Sequence, residues 1–228
     1  MPPSPILLAI DASTELCSVC WTDGARWIER REDAGQRHSA LIIALVDSAL
    51  REAGCGVRDL DEIAFGSGPG SFTGLRIACG IAQGLAFGAG LPVRGISSLL
   101  AIAQAAAECA VIAALDARMN EVYWAAYRRA ADGAWDEVTA PEACPAASVS
   151  IPPGDDWSGA GNGFARYASL VAVLPARSRI DPGVEVTARA IAELALAGQG
   201  EVSAAEHASP LYVRDKVAMT VAERAARR

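Results

Sequence analysis

A module that occurs twice limits the folds open to this chain. Ile6 to Ile10 is an unbroken apolar run closed by Asp11, and Val111 to Leu115 is a second such run closed by Asp116. Runs of this length read as strands buried on both faces that feed a polar loop. After the first comes Asp11-Ala12-Ser13-Thr14, then a strand pattern from Leu16 to Thr22, the hairpin dipeptide Asp23-Gly24 and a returning strand from Arg26 to Arg31. After the second comes the turn Ala117-Arg118-Met119-Asn120, a strand from Glu121 to Tyr127, the turn Asp132-Gly133 and a third strand from Trp135 to Thr139. The repeat lies in the pattern, since the residues scarcely match. Strand meanders alternating with helical periods predict an α/β protein. The length of 228 residues suits one large domain or two, and 52% hydrophobic against 21% charged residues supplies an ample core.

Between the two meanders lie the helices. His38-Ser39 opens a helix to about Ala53, stopped by Gly54 and Gly56, with Leu41, Ile42, Leu45, Val46 and Ala49 on one stripe. Ile43 and Leu50 widen that stripe beyond one face, so this helix is either deeply buried or meets a partner chain. A strand from Asp61 to Phe65 then runs into Gly66-Ser67-Gly68-Pro69-Gly70-Ser71-Phe72-Thr73-Gly74-Leu75-Arg76. Glycines permit close backbone approach, and Ser71 or Thr73 can cap the following helix. That helix runs to about Gly88 and carries Gly80, Gly84 and Gly88 at intervals of four. Each costs about 1 kcal/mol relative to alanine, which makes sense where another backbone packs closely. Arg76, Gln83 and Pro92 keep its apolar part short of the ~20 residues that span a bilayer. Further on, Pro92 to Ile96 predicts a strand and Ser97-Ser98 the cap of a helix to about Cys109. Residues 141–154 read as loop, Gly159 to Gly163 as a glycine cluster, and Ala188 to Ala197 as a short helix. Pro210 to Arg214 reads as an extended segment, and Arg224 to Arg228 as a basic tip.

Several chemistries are disfavoured. A net charge of −7 speaks against a stand-alone nucleic-acid binder, which neutralises phosphates with basic side chains. Cys17 and Cys20 form a CxxC, but residues three apart on a strand point to opposite faces, and all six cysteines read as buried free thiols. His38 and His207 are the only histidines, and neither has ligand spacing, so no metal is expected. Ser71 sits in no nucleophile elbow and reads as a helix cap. The start of the chain lacks the charged and apolar regions of a secretory signal, so a cytoplasmic, reducing compartment is expected.

Gly68-Pro69-Gly70-Ser71-Phe72-Thr73-Gly74-Leu75-Arg76-Ile77, with Ile10-Asp11-Ala12-Ser13-Thr14 before it and Ser97-Ser98-Leu99 after it, resembles the TsaB (YeaZ) family. His38-Ser39, Asp116-Ala117-Arg118, Glu121-Val122-Tyr123, Gly161-Asn162-Gly163 and Pro210-Leu211-Tyr212-Val213-Arg214 fall in the same order as in that family. The resemblance covers most of the chain. Ala40 and Ile43 depart from it, standing where the family often has an acid and a proline. It implies a duplicated actin-like (ASKHA, ribonuclease H-like) α/β fold in two domains. Residues 1–100 would be the half with the partner helices, 101–207 a smaller degenerate half, and 208–228 a tail returning to the first. It also implies a non-catalytic, glycoprotease-like subunit that pairs with the paralogue TsaD, which transfers threonylcarbamoyl to N6 of a tRNA adenosine beside the anticodon. The ATPase TsaE would bind the pair, tRNA would be met only through the complex, and the isolated chain can form a homodimer through the same helices.

The competing expectation is an actin-like-fold ATPase or small-molecule kinase acting alone. It needs a phosphate loop, for which Asp11, Ser13 and Thr14 are candidates, and a second loop at Asp116. Asp116-Ala117-Arg118 lacks the glycines that let amides approach phosphate. The simpler role for Asp11 is to cap the loop between its strands. No cofactor and no catalytic residue are therefore expected. The partner surface is expected at Leu41, Ile42, Ile43, Leu45 and Val46 of one helix and Gly80, Gly84 and Gly88 of the next. The glycine-rich loop Gly68, Pro69, Gly70, Ser71, Thr73, Gly74 and Arg76 is the family's marker.

Overall fold

The computed structural model describes residues 4–34 and 37–213, and in it the chain builds two sheets. Strands β1 (Leu7–Asp11), β2 (Leu16–Thr22) and β3 (Trp27–Asp33) form an antiparallel meander. Helix α1 (His38–Ala53) leads to β4 (Glu62–Gly68), parallel to β1, and helix α2 (Phe72–Ala89) leads to β5 (Pro92–Ser97), parallel to β4. Helix α3 (Ser98–Ala106) then crosses to the second sheet. There β6 (Ala110–Asp116), β7 (Glu121–Arg129) and β8 (Trp135–Pro145) repeat the meander, and β9 (Ser158–Ala160) pairs parallel to β6. Short helices α4 (Gly163–Arg166) and α5 (Ala168–Ala172) precede β10 (Ile180–Asp181), parallel to β9. The order β3-β2-β1-β4-β5 recurs as β8-β7-β6-β9-β10, so the duplication seen in the sequence extends to topology.

Burial follows the strand period of two. Leu8 and Ile10 of β1 join a core under α1 and α2, while Leu7 and Ala9 join the core that α3 shares with the second sheet. Cys17 and Cys20 separate the same way, each on its own face of β2. Burial pushes the Cys17 thiol up to about 11 and the Cys20 thiol to about 12, which keeps both inert. The cysteines are not uniformly hidden, however: Cys109 is exposed and Cys55 and Cys144 are half-buried.

The structure departs from expectation in four stretches. β4 continues through Ser67 and Gly68, so the glycine-rich segment begins as strand. α3 stops at Ala106, with Ala107 left-handed (φ 57°), rather than reaching Cys109. β8 runs through Pro141 to Pro145, into the expected loop; it is the edge strand, where a residue without an N–H is tolerated. Finally, within residues expected to belong to the second half, helix α6 (Ala188–Leu196) and an unforeseen strand β11 (Glu201–Ala204) serve the first sheet instead. β11 pairs antiparallel with β5 as its sixth strand, and the Ala188 amide of α6 donates to the Ser18 hydroxyl of β2 at 2.8 Å. The return to the first sheet thus begins well before residue 208. Arg214 and the Arg224–Arg228 tip lie outside the described residues.

Candidate functional site

The loop after β1 consumes its own polar groups. Asp11 is fully buried, and its Oδ2 accepts the Ser13 amide at 3.2 Å and the Ser13 hydroxyl at 3.1 Å. The Ser13 carbonyl accepts the Ser71 amide at 2.7 Å, the Thr14 hydroxyl accepts the Leu16 amide, and the Thr14 carbonyl lies 3.1 Å from Nε2 of His38. His38 therefore fastens the start of α1 to this loop, and Asp11 caps it from inside. The glycine-rich segment explains why the loop is closed. A Cβ on Gly70 would overlap the Ser13 carbonyl, and one on Gly74 the Ala12 carbonyl, so these glycines seat α2 directly on the loop. Ser71 caps α2 by accepting the Gly74 amide at 3.3 Å, whereas Thr73 is exposed. A Cβ on Gly66 would collide with Asp11 Oδ1, which has no hydrogen-bond partner. Burial pushes the Asp11 carboxyl up to about 7, opposed by the bonds from Ser13.

The second loop is closed by other means. Asp116 Oδ1 accepts the Tyr167 hydroxyl at 2.7 Å and the Arg118 amide at 2.9 Å, and its own amide donates to Asn162 Oδ1 at 2.8 Å. Arg118, Met119 and Asn120 are all left-handed, with φ of 62°, 53° and 67°. The backbone thus takes the conformation that glycines would favour, but with side chains attached. Arg118 extends between the loops, 3.7 Å from Asp116 and 3.8 Å from Glu15. Phosphate oxygens need free amides and an open approach, and here the Arg118 amide is already taken by the Asp116 carboxylate. Among the described residues no group of three or more His, Cys, Asp or Glu is arranged to hold a metal ion.

The helices resolve the two readings of α1. Leu41, Ile42, Leu45 and Val46, expected at a partner surface, are buried in the chain's own core together with Leu50. Only Ile43 of that set faces outward, 59% exposed beside exposed Ala40 and Ala44. On α2 the opposite holds: Gly80, Gly84 and Gly88 are exposed, and a Cβ on any of them would meet nothing within 4 Å. No described residue packs against these three glycines. Exposed Phe72 and Phe87 stand at either end of the helix. α2 is the one helix among the described residues long and apolar enough by composition to cross a membrane, yet its buried residues Ala78, Cys79, Ala82 and Ala86 pack into the first sheet's core.

The tail expected to return to the first domain from residue 208 does so over its described part, though the partners it meets were not foreseen. Residues 205–213 lie across α2: the Ala208 carbonyl accepts Gln83 Nε2 at 2.9 Å, and the Leu211 amide donates to the Ser67 carbonyl at 2.8 Å. Arg76 donates to the Tyr212 hydroxyl at 3.0 Å while its guanidinium stacks 3.7 Å from the Phe72 ring. Pro210 to Val213 thereby meets the glycine-rich loop, and no local pattern announces a pairing 136 residues apart.

Two sheets that share a five-strand order, a pair of aspartate loops closed on their own hydrogen bonds and a helix with an outward glycine face define the class: an α/β protein of duplicated topology. The model of the family described as TsaD, tRNA N6-adenosine threonylcarbamoyltransferase, matches residues 31–222. Within it, this chain belongs to the TsaB (YeaZ) family. It is 37% identical to the tRNA threonylcarbamoyladenosine biosynthesis protein TsaB of Escherichia coli, over 93% of this chain and 96% of that one. The TsaB of Haemophilus influenzae is also 37% identical, over 92% and 94% of the two chains. The solved structure of YeaZ from Pseudomonas aeruginosa superposes with a TM-score of 0.83 at 38% identity, covering 91% of this chain and 99% of that one.

Proposed function

We propose that this protein serves tRNA threonylcarbamoyladenosine biosynthesis as a non-catalytic subunit, pairing through the outer faces of α1 and α2 with a TsaD-type transferase. The fold is read as a duplicated actin-like one in which the nucleotide position has been filled. The observation that carries the reading is the strip of Gly80, Gly84 and Gly88, open to solvent along one helix. Three glycines in a helix cost about 3 kcal/mol relative to alanine, and that cost has a purpose if a partner's backbone comes close there. Ile43 on the neighbouring α1 extends the same surface. Leu41, Ile42, Leu45 and Val46 support it from beneath rather than touching the partner. A second copy of the chain would compete for this face by mass action. The closed loops at Asp11 and Asp116 support the non-enzymatic role over an ATPase or kinase acting alone. A tRNA-modifying partner would supply the basic surface this acidic chain lacks, TsaE would join the pair, and the site of action would be the cytoplasm.

The test is co-elution with the TsaD of the same organism. Gly84→Leu should abolish co-elution while leaving the free chain folded with a thermal midpoint no lower than the parent's, because among the described residues a Cβ there meets nothing within 4 Å. Retained co-elution would defeat the interface. Magnesium-dependent ATP turnover by the purified chain, lost in Asp11→Ala, would instead establish the enzyme reading.

A further inference from the structure

A cleft of about 440 Å³ opens at the carboxyl ends of β4 and β5, away from the two aspartate loops. Its floor is Phe65, Leu100 and Tyr127, with Ser67 and Ser97 beside them, and Trp135 and Glu137 of β8 form one wall. Gln199 to Ser203 form another, and residues 207–211, the segment strapped across α2, close the third. This size lies within the usual range for small-molecule sites, and the carboxyl ends of parallel strands are where open α/β sheets receive ligands.

The charges that face the cleft decide what fits. Glu137 and Glu201 line it, both exposed, and neither carboxylate forms an ion pair among the described residues. Among the described residues no lysine or arginine lines it, and His207 is the one basic side chain on its wall. The nearby arginines are committed elsewhere: Arg94 makes a bidentate pair with Glu62 at 2.6 and 2.9 Å, and Arg129 stacks 4.4 Å from the Trp135 ring while bonding the Gly133 carbonyl. The Tyr127 hydroxyl, buried and lying 3.4 Å from Ser97 Oγ, offers oxygen lone pairs at the floor. Phosphates and carboxylates would meet two like charges, with His207 the one basic side chain of the described lining to offset them. An ammonium group would meet two carboxylates and hydroxyl oxygens, which favour a cation over its neutral equivalent.

We propose that the cleft bounded by Tyr127, Trp135, Glu137, Glu201 and the 207–211 segment binds a small organic amine in its protonated form, with the ammonium between the two carboxylates and an apolar stem on the floor. The site stands independently of the pairing with TsaD.

The experiment titrates phenethylamine into the full chain by calorimetry at about 0.15 M salt, where diffuse surface attraction is largely screened. Phenethyl alcohol and phenylpropionate serve as uncharged and anionic counterparts of similar size. One amine should bind per chain, at least tenfold more tightly than either counterpart. The double variant Glu137→Gln with Glu201→Gln should weaken amine binding at least tenfold, whereas Glu185→Gln, which removes a charge outside the cleft, should leave it unchanged. Tyr127→Phe should weaken it severalfold, giving a readout independent of net charge. The proposal is overturned if no saturable binding occurs up to about 10 mM, far weaker than useful affinity, if the alcohol binds as well as the amine, or if the double variant binds like the parent.

Discussion

Asp11 is a strand-ending acid whose two oxygens have different fates, one bonded twice to Ser13 and one pressed against Gly66 without a partner. With its carboxyl raised from 3.8 to about 7, it has a definite effect on stability. Between those values the unfolded chain has lost this proton while the folded chain keeps it, so stability falls as pH rises through the window and levels off above it. The slope is at most about 1.4 kcal/mol per pH unit. Asp11→Asn should remove that contribution, which urea denaturation at a series of pH values between about 4 and 8 would measure; an unchanged slope would show that the carboxyl titrates normally. The sequence placed Asp11 at the loop and suggested its capping role. It did not reveal the unpaired oxygen, because that depends on Gly66 of a neighbouring strand.

α2 contains glycines of two kinds. Gly74, one turn in, lies against the Ala12 carbonyl, while Gly84 faces open space. Alanine at the two positions should therefore have opposite effects. Gly74→Ala should cost about 3 kcal/mol or more by forcing the helix off its loop, and Gly84→Ala should stabilise the free chain by up to about 1 kcal/mol. Paired chemical denaturation curves would measure both, and equal effects would defeat the assignment. The cap at Ser71, the stop near Gly88 and the apolar stripe of α1 were legible, being local. What those stripes met was not: the broad apolar face of α1 admitted a core or a partner, and the structure gives nearly all of it to the core, leaving Ile43.

Across the whole molecule, residues 188–213 tie the end of the described chain to its beginning. α6 seats on β2, β11 covers the edge of β5, and residues 208–213 cross α2 to the glycine-rich loop. Ending the chain after Gly198 should lower the thermal midpoint by several degrees, since each kcal/mol lost in a chain of this size moves it by about 2–4 °C. It should also promote association through the uncovered β5 edge. An unchanged midpoint would mean that these residues are an appendage.

The sequence by itself determined the strands and their repeated order, the hairpins, the caps, the glycine-rich segment and the family they mark, because apolar period and turn chemistry act between residues close in the chain. Only the tertiary structure decided which glycines are filled by the chain's own backbone and which stand open among the described residues, that Arg118 reaches toward acids of both loops, and that strand β11 returns to the first sheet. Those outcomes depend on what each face meets, and residues more than a hundred positions away supply much of the answer.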